Sequence, residues 1–205
     1  MRQVVVLIFF LTFIPKVFGQ ELPTWYTGSI VLATNEVLVG EISVQLNHDL
    51  ILLKKVESIV VYPAHRISAA YLYDVAANIN RKYLSLRDDH RVFKVHHLYE
   101  IVLYGNVSVV RKQKSSTLQR KEPSDKFDFD YFTSVDNHLT SLMHFRSEIY
   151  PKMIEVSNEQ ILSFTQENRL NPNLPADAIR IIEFYNKTVK SHFFSSDLKQ
   201  FQAAK

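Results

Sequence analysis

Metal binding is the first chemistry that the sequence raises, because His96 and His97 are adjacent and His144 precedes Glu148 by four residues. Neighbouring side chains of a strand point to opposite faces, so His96 and His97 cannot easily chelate one ion. The pattern predicts a hydrogen-bonded core or rim residue at His97 and a surface residue at His96. The pair His144 and Glu148 lacks the third and fourth ligands of a tight site. The sequence therefore predicts no metal site and no cofactor.

Paired carboxylates are the second candidate chemistry, since a glycosidase holds two of them about 5 to 9.5 Å apart across a sugar. Asp88-Asp89 lies between two strand patterns, as a polar turn does. Asp128 and Asp130 alternate with aromatic residues, a combination that binds sugars by stacking and hydrogen bonding. A charged edge strand that resists aggregation has the same pattern. The four glycines form no nucleophile elbow, phosphate loop or dinucleotide fingerprint.

A basic segment at 111–126 carries six basic and two acidic residues and almost nothing to bury. This composition predicts an exposed loop. Clustered Lys and Arg attract anionic lipid heads, lipopolysaccharide phosphates and acidic glycans, although a solvated linker has the same composition. The binding surface that this segment and the following strand would form consists of Lys112, Lys114, Arg120, Lys121, Asp128, Asp130 and Tyr131.

Strands must position most of these residues. From Trp25 to about Arg111 the chain shows the alternation and β-branched clusters of strands, separated by short polar turns. The predicted strands are 26–33, 37–46, 50–54, 58–62, 65–73, 82–87, 93–104 and 107–112. Gly105-Asn106 is predicted to turn the last two as a tight hairpin. A further short strand is expected at 127–131.

The last third of the chain is predicted to be helical. Residues 139–153 follow helical spacing, with Pro151 expected to kink or end that helix. A second helix is expected to open at Ser157, with a capping box to Gln160, and a third near Pro175. Strands followed by helices predict an α+β fold. We expect an antiparallel meander or roll of seven or eight strands followed by about three C-terminal helices.

The N-terminus has the order of features typical of a secretory signal peptide. Arg2 supplies a positive charge, 4–14 is an uncharged run, and Val17-Phe18-Gly19 fits a cleavage site before Gln20. We therefore expect a signal peptide at 1–19 and a single α+β domain at 20–205. Its expected parts are a β-rich part at 20–110, the basic loop at 111–126, and a short strand plus helices at 127–205. No later stretch is long and apolar enough for a transmembrane helix.

Cysteine and charge exclude several classes of protein. The chain has no cysteine, which excludes disulfides, thiolate nucleophiles and zinc-thiolate sites. An exported domain without disulfides fits a bacterial envelope better than a eukaryotic extracellular fluid. Removing Arg2 and Lys16 from the 24 basic residues leaves 22 against 21 acidic ones. A nucleic-acid binder carries a clear basic excess, so we expect no nucleic-acid partner.

Four segments carry a resemblance to a known group. They are Trp25-Tyr26-Thr27-Gly28-Ser29-Ile30-Val31-Leu32, Leu38-Val39-Gly40-Glu41-Ile42, Tyr62-Pro63-Ala64-His65-Arg66-Ile67 and Ile181-Ile182-Glu183-Phe184-Tyr185-Asn186. They resemble uncharacterised exported proteins of Bacteroidetes bacteria, which implies a Gram-negative periplasm, outer-membrane surface or medium. Separately, 31–53, with Gly40 and with Asp49 before Leu50, is similar to the first motif of Sm-like small barrels and hints at a small bent sheet.

The sequence favours a non-enzymatic module, exported to the periplasm, the outer-membrane surface or the medium, that binds or scaffolds an unknown ligand. The partners considered are an envelope glycan, lipopolysaccharide or another envelope protein. Two alternatives stay open: a carbohydrate-active or other hydrolase that uses paired carboxylates, and a small outer-membrane β-barrel. Clustering of Glu100, Asp88, Asp128 or Asp130 in a concave site with an aromatic wall would favour the hydrolase.

Overall fold

One antiparallel sheet organises the protein. The computed structural model describes residues 23–88, 95–114, 129–135 and 138–189. Within these ranges, ten strands follow the spatial order β10-β9-β8-β7-β6-β5-β1-β2-β3-β4, which corrects the expected seven or eight. Their bounds are β1 Tyr26–Leu32, β2 Val37–Gln45, β3 Leu50–Lys54, β4 Ile59–Pro63, β5 Ile67–Asp74, β6 Ile79–Asp88, β7 Val95–Leu103, β8 Ser108–Gln113, β9 Phe129–Val135 and β10 His138–Ser141.

The helices follow the last strand, so the α+β class is confirmed. They are α1 Tyr150–Val156, α2 Gln160–Glu167 and α3 Pro175–Thr188. A 3₁₀ turn, Ala64–Arg66, joins β4 to β5, and a second one, Leu142–His144, leads into the π-helical segment Phe145–Ile149. Within the described residues, the structure contains no helix with the length and apolar character needed to cross a membrane.

The first predicted helix, 139–153, is wrong at its start, and 3₁₀ and π helix take the place of regular α-helix up to Ile149. Its start is the edge strand β10, and regular α-helix begins only at Tyr150, so Pro151 opens a helix where it was expected to kink or end one. Proline is tolerated in the first helical turn because the amide that it lacks has no intrahelical partner there. The apolar residues share no single face: Leu139 packs with Tyr99, whereas Leu142 packs with the helices.

The predicted capping box between Ser157 and Gln160 does not form at the start of the second helix. α2 begins at Gln160, and Glu159 precedes it in the left-handed conformation with φ 66°. The Ser157 hydroxyl accepts a hydrogen bond from the Ile161 amide at 3.4 Å and donates one to the Ile154 carbonyl at 3.2 Å. Ser157 therefore joins the end of α1 to the first turn of α2. The third helix begins at Pro175, as predicted.

The N-terminal half of the sheet is curled. β4 and β5 lie four places apart in the sheet, yet only Ala64–Arg66 connects them. Four strand spacings in a flat sheet measure roughly 19 Å, whereas three residues of a 3₁₀ turn advance by roughly 6 Å. The strands must bend to bring the two ends together. Inside the curl, Ile30, Ile42, Ile51 and Leu98 are fully buried.

The two faces of the sheet at β7, β8 and β9 have different roles. We call the face that carries Leu98, Val109 and Tyr131 the helix face, because α1, α2 and α3 pack there through a cluster that includes Val109, Phe145 and Ile181. The opposite face carries Tyr99, Val110 and Phe132, which pack with Leu139. We call it the cleft face.

An ionic chain lies on the helix face between the two larger core clusters. Glu100 accepts hydrogen bonds from Arg81 Nη1 at 2.6 Å and from Arg111 Nε at 2.8 Å. Arg81 Nε also donates to Asp74 at 2.9 Å. The side chain of Glu100 is 8% exposed, so its charge is stabilised almost entirely by the two guanidinium groups.

Candidate functional site

A cleft of about 730 Å³ opens on the cleft face. Its walls come from β7, β8, β9, β10 and the segment 142–149. We call it the histidine cleft, because three histidines line it. Its charged, imidazole and aromatic lining residues are His97, His138, His144, Lys112, Lys114, Asp130, Glu148, Tyr99 and Phe132.

Strand alternation explains why most of these side chains meet. His97 and Tyr99 share one face of β7, and Lys112 lies on the same face of β8 as Val110. Lys112 is paired in register with Asp130 on β9, and Val110 with Phe132. The hairpin register therefore places a cation, a carboxylate and an aromatic ring side by side.

Asp49 supports the floor of the histidine cleft from outside the strands that line it. It occupies the turn between β2 and β3 in the left-handed conformation, with φ 54°. Its Oδ2 lies 2.6 Å from Nδ1 of His97, and its Oδ1 accepts a hydrogen bond from the Leu98 amide at 2.8 Å. Lys112 Nζ is 3.5 Å from the same Oδ2. One carboxylate thus joins the β2–β3 turn to β7 and β8.

The other nitrogen of His97 has no hydrogen-bond partner among the described residues. The side chain of His97 is 10% exposed, and its Nε2 is buried. An ionised carboxylate only accepts hydrogen bonds, so Nδ1 carries the proton that points to Asp49. In the neutral ring Nε2 then holds a lone pair. A buried acceptor without a donor costs about 1–3 kcal/mol.

The charges of the histidine cleft largely offset each other. Lys114 Nζ lies 3.5 Å from Oδ1 of Asp130, in addition to the contact between Lys112 and Asp49. Glu148 adds a further carboxylate at the rim, where it is exposed. Among the described residues, the site has no excess of fixed positive charge that would select a polyanion.

One wall is aromatic. The rings of Tyr99 and Phe132 lie edge to face, with centroids 5.6 Å apart. Tyr99 is buried, whereas Phe132 is only partly buried and leaves part of its ring toward the cleft. A flat apolar group of a ligand can pack against this ring.

The segment 142–149 brings two further groups to the rim. His144 ends a 3₁₀ turn, and Glu148 lies in the π-helical segment, both with exposed side chains. The fully buried Phe145 fixes this segment in the core under the helices. Short π-helical segments are rare and are frequent at functional sites.

Three of the residues predicted as a binding surface line this cleft: Lys112, Lys114 and Asp130. Tyr131 does not, because it lies on the helix face. Arg120, Lys121 and Asp128 lie outside the described residues.

The predicted start of the exposed basic loop is wrong. β8 continues to Gln113, and the side chain of Arg111 is 15% exposed and that of Lys112 is 19% exposed. The strand tolerates these basic residues because Arg111 pairs with Glu100 and Lys112 with Asp49. The remainder of the loop, 115–126, lies outside the described residues.

The carboxylates whose clustering would favour a hydrolase do not all meet. Glu100 belongs to the ionic chain on the helix face, away from Asp130. Asp88 ends β6, and Asp89 lies outside the described residues. The structure brings Glu148 to the cleft that Asp130 lines.

Asp49 and His138 were missed as site residues. The sequence predicts a turn at Asp49, and a turn gives no sign that its carboxylate reaches β7, 48 positions away. His138 was placed just before a helix, whereas it begins β10 at the cleft. Where the structure describes the chain, no three His, Asp or Glu side chains are grouped so that they hold a metal ion.

Comparison with protein-family models, with curated proteins and with solved structures finds no match to this chain.

Proposed function

We propose that the protein is an exported, non-enzymatic binding module of the bacterial envelope, and that it binds a small polar ligand in the histidine cleft. The observation that carries the proposal is the buried Nε2 of His97, which is held in place by Asp49 and has no hydrogen-bond partner among the described residues. Buried polar groups are normally satisfied, and exceptions call for an explanation. A ligand that fills the cleft and bonds to Nε2 would explain this exception.

The dimensions and lining of the cleft support this proposal. Small-molecule sites enclose roughly 300–1,000 Å³ and combine apolar walls with a few converging polar groups. The histidine cleft encloses about 730 Å³ and has the Phe132 ring on one side and imidazole, ammonium and carboxylate groups around it.

Export is proposed from the order of charge, apolar run and cleavage pattern in residues 1–19. Intact-mass measurement of the protein from the exported fraction of its own host tests it. We expect a chain that begins at Gln20. An exported chain that still contains residues 1–19 would contradict the proposed signal peptide.

Binding is tested with the ¹⁵N-labelled protein and a panel of small polar probes: neutral oligosaccharides, sugar phosphates, dicarboxylates and amino acids. We expect one class to shift the resonances of His97, Lys112 and Phe132. The variant His97→Asn should weaken that binding about tenfold, because it removes Nε2. The matched control is His96→Asn, since His96 lies on the other face of β7, where it contacts Ser85 at 3.3 Å.

Two results would contradict the proposed binding site. One is a panel in which no probe class shifts the cleft resonances at concentrations up to about ten millimolar. The other is binding that maps to the helix face and is equally strong in His97→Asn and His96→Asn.

A carbohydrate-active hydrolase is a second candidate, favoured by the presence of Asp130 and Glu148 in one cleft. Glycoside hydrolysis uses two carboxyl groups, one as the acid and the other as the base or nucleophile. Release of new reducing ends from neutral oligosaccharides, abolished in Asp130→Asn and in Glu148→Gln, would support it. If the oligosaccharides stayed intact after prolonged incubation, the result would favour the binding module over the hydrolase.

A further inference from the structure

The hydrogen-bonding role of His97 follows from Asp49. Because Asp49 Oδ1 already accepts the Leu98 amide, Oδ2 is the oxygen that faces Nδ1 of His97, at 2.6 Å. That contact keeps the proton of the neutral ring on Nδ1 and leaves Nε2 as an acceptor. The group that completes this site is therefore a hydrogen-bond donor, such as a hydroxyl.

The offset charges argue against an anionic ligand. Each lysine of the cleft has a carboxylate 3.5 Å away, Asp49 for Lys112 and Asp130 for Lys114. A phosphate or carboxylate that approached the lysines would also approach these carboxylates. A neutral ligand avoids this repulsion and still uses the same groups as donors and acceptors.

The remaining lining suits a ligand with hydroxyls on a flat, partly apolar ring. Thr140 and Ser141 also line the cleft, and so does the partly buried aromatic residue Phe132. Sugar rings have C–H groups that pack on aromatic faces and hydroxyls that both donate and accept. The volume of the cleft, about 730 Å³, admits roughly two or three sugar units.

We propose that the ligand of the histidine cleft is a neutral oligosaccharide, and that one of its hydroxyls donates a hydrogen bond to Nε2 of His97. This inference rests on the proposed binding function of the same cleft. Nε2 is buried in the free protein, so the lining of the cleft must rearrange before a hydroxyl can reach it. Relief of the unpaired acceptor favours that rearrangement.

Calorimetric titration of the purified protein with maltotriose, cellotriose, chitotriose, xylotriose and mannotriose tests the inference, with inorganic phosphate and digalacturonate as anionic probes. We expect at least one neutral trisaccharide to bind and both anions to bind at least tenfold more weakly. His97→Asn should reduce the trisaccharide affinity about tenfold. The Asn amide nitrogen replaces Nδ1 opposite Asp49, so the fold keeps that contact. A single cooperative urea transition and unchanged amide resonances outside the cleft would verify it.

Two further variants separate the role of Nε2 from loss of structure. His97→Gln puts a polar group close to the position of Nε2 and should retain more trisaccharide affinity than His97→Asn. His96→Asn should bind like the parent protein.

The outcomes distinguish this inference from the function on which it rests. Binding of phosphate or digalacturonate in the cleft, with no neutral sugar bound, would overturn the inference and leave the binding module standing. A trisaccharide that binds His97→Asn as tightly as the parent protein would overturn the role of His97. If neither sugars nor any other polar probe bound in the cleft, both proposals would fail.

Discussion

The carboxylate of Asp49 lies 2.6 Å from Nδ1 of His97 and joins two residues that are 48 positions apart in the chain. The pairing of β7 with β8 begins only at Glu100 opposite Arg111, so the Leu98 amide lies beyond it and bonds to Asp49 instead. The β2–β3 turn thus takes the place of a neighbouring strand at this point. The same carboxylate shapes the fold and orients the histidine of the cleft.

Removal of this carboxylate should destabilise the curled sheet. Asp49→Ala loses the contacts to His97 and Leu98 and leaves both buried donors unpaired, so we expect the free energy of unfolding to fall by about 2–4 kcal/mol. Urea denaturation measures it. His48→Ala is the matched control, because its exposed side chain lies one residue away in the same turn. Equal stability of both variants would mean that the Asp49 contacts contribute little.

Asp49→Asn should reverse the proton position on His97. The Leu98 amide is a fixed donor, so the new amide must turn its oxygen to Leu98 and its NH₂ group to Nδ1 of His97. The neutral ring then carries its proton on Nε2. Long-range ¹H–¹⁵N correlation spectra distinguish the two tautomers. An unchanged tautomer in Asp49→Asn would show that Asp49 does not set it.

Substitution of Glu100 should lower the free energy of unfolding far more than substitution of an exposed carboxylate. Glu100→Ala leaves Arg81 and Arg111 without the carboxylate that both contact, and breaking a buried ion pair from one side costs about 3–5 kcal/mol. Glu41→Ala is the control, since Glu41 pairs with Lys54 where both side chains are about half exposed. Its cost should stay below about 1 kcal/mol. Similar urea midpoints for the two variants would mean that the buried ion pairs of Glu100 contribute little to stability.

Local patterns predicted the strands of the curled sheet because polar turns separate them. The break between the predicted strands 26–33 and 37–46 contains Asn35, with φ 67°, and the third helix begins at Pro175, as predicted. β10 was missed because it has only four residues and runs directly into a 3₁₀ turn. The spacing of Leu139 and Leu142 fits a helix, although the two side chains pack on opposite faces of the sheet.

The candidate site was predictable only where strand alternation decides it. Alternation places His97 on the inner side of β7, and it is buried. The same rule does not identify Asp49 as its partner, because a contact across 48 positions depends on the curl of the sheet. The curl in turn depends on the short connection Ala64–Arg66. In the sequence, only Pro63 marks the break between the two strands that this connection joins.

Low pH should reduce the stability of the folded protein, because Asp74 becomes protonated. The Ala77 amide, followed by Arg81, holds the pKa of this carboxyl below its ordinary value. A carboxyl with a depressed pKa stabilises the folded state above its unfolded pKa of about 4, and this contribution is lost as the pH falls through the folded value. We therefore expect the stability difference between the parent protein and Asp74→Asn to be about 1–3 kcal/mol at pH 7 and to shrink below pH 4.

Urea midpoints of both proteins at pH 7, 5, 4 and 3 measure this difference. A gap that stays constant down to pH 3, or that widens, would contradict the assigned role of Asp74.

The turn between β7 and β8 should depend on one side chain of α3. Asn186 Nδ2 donates to the Val107 carbonyl at 2.8 Å, and its Oδ1 accepts from the Val107 amide at 3.0 Å. Asn186→Ala therefore leaves both backbone groups of a buried residue unpaired, and we expect a loss of about 2–4 kcal/mol. Gly105 lies so close that a Cβ there would come within 2.3 Å of the Asn186 amide.

Gly105→Ala should consequently displace the Asn186 side chain and cost nearly as much as Asn186→Ala. Because both variants act on one contact, the double variant should be only slightly less stable than either single one. Gly40→Ala is the matched control, since its Cβ would meet a Leu53 methyl group at 3.1 Å, where a small side-chain movement relieves the contact. Urea denaturation of the four variants measures the coupling. Costs that add in the double variant would mean that Gly105 and Asn186 stabilise the turn independently.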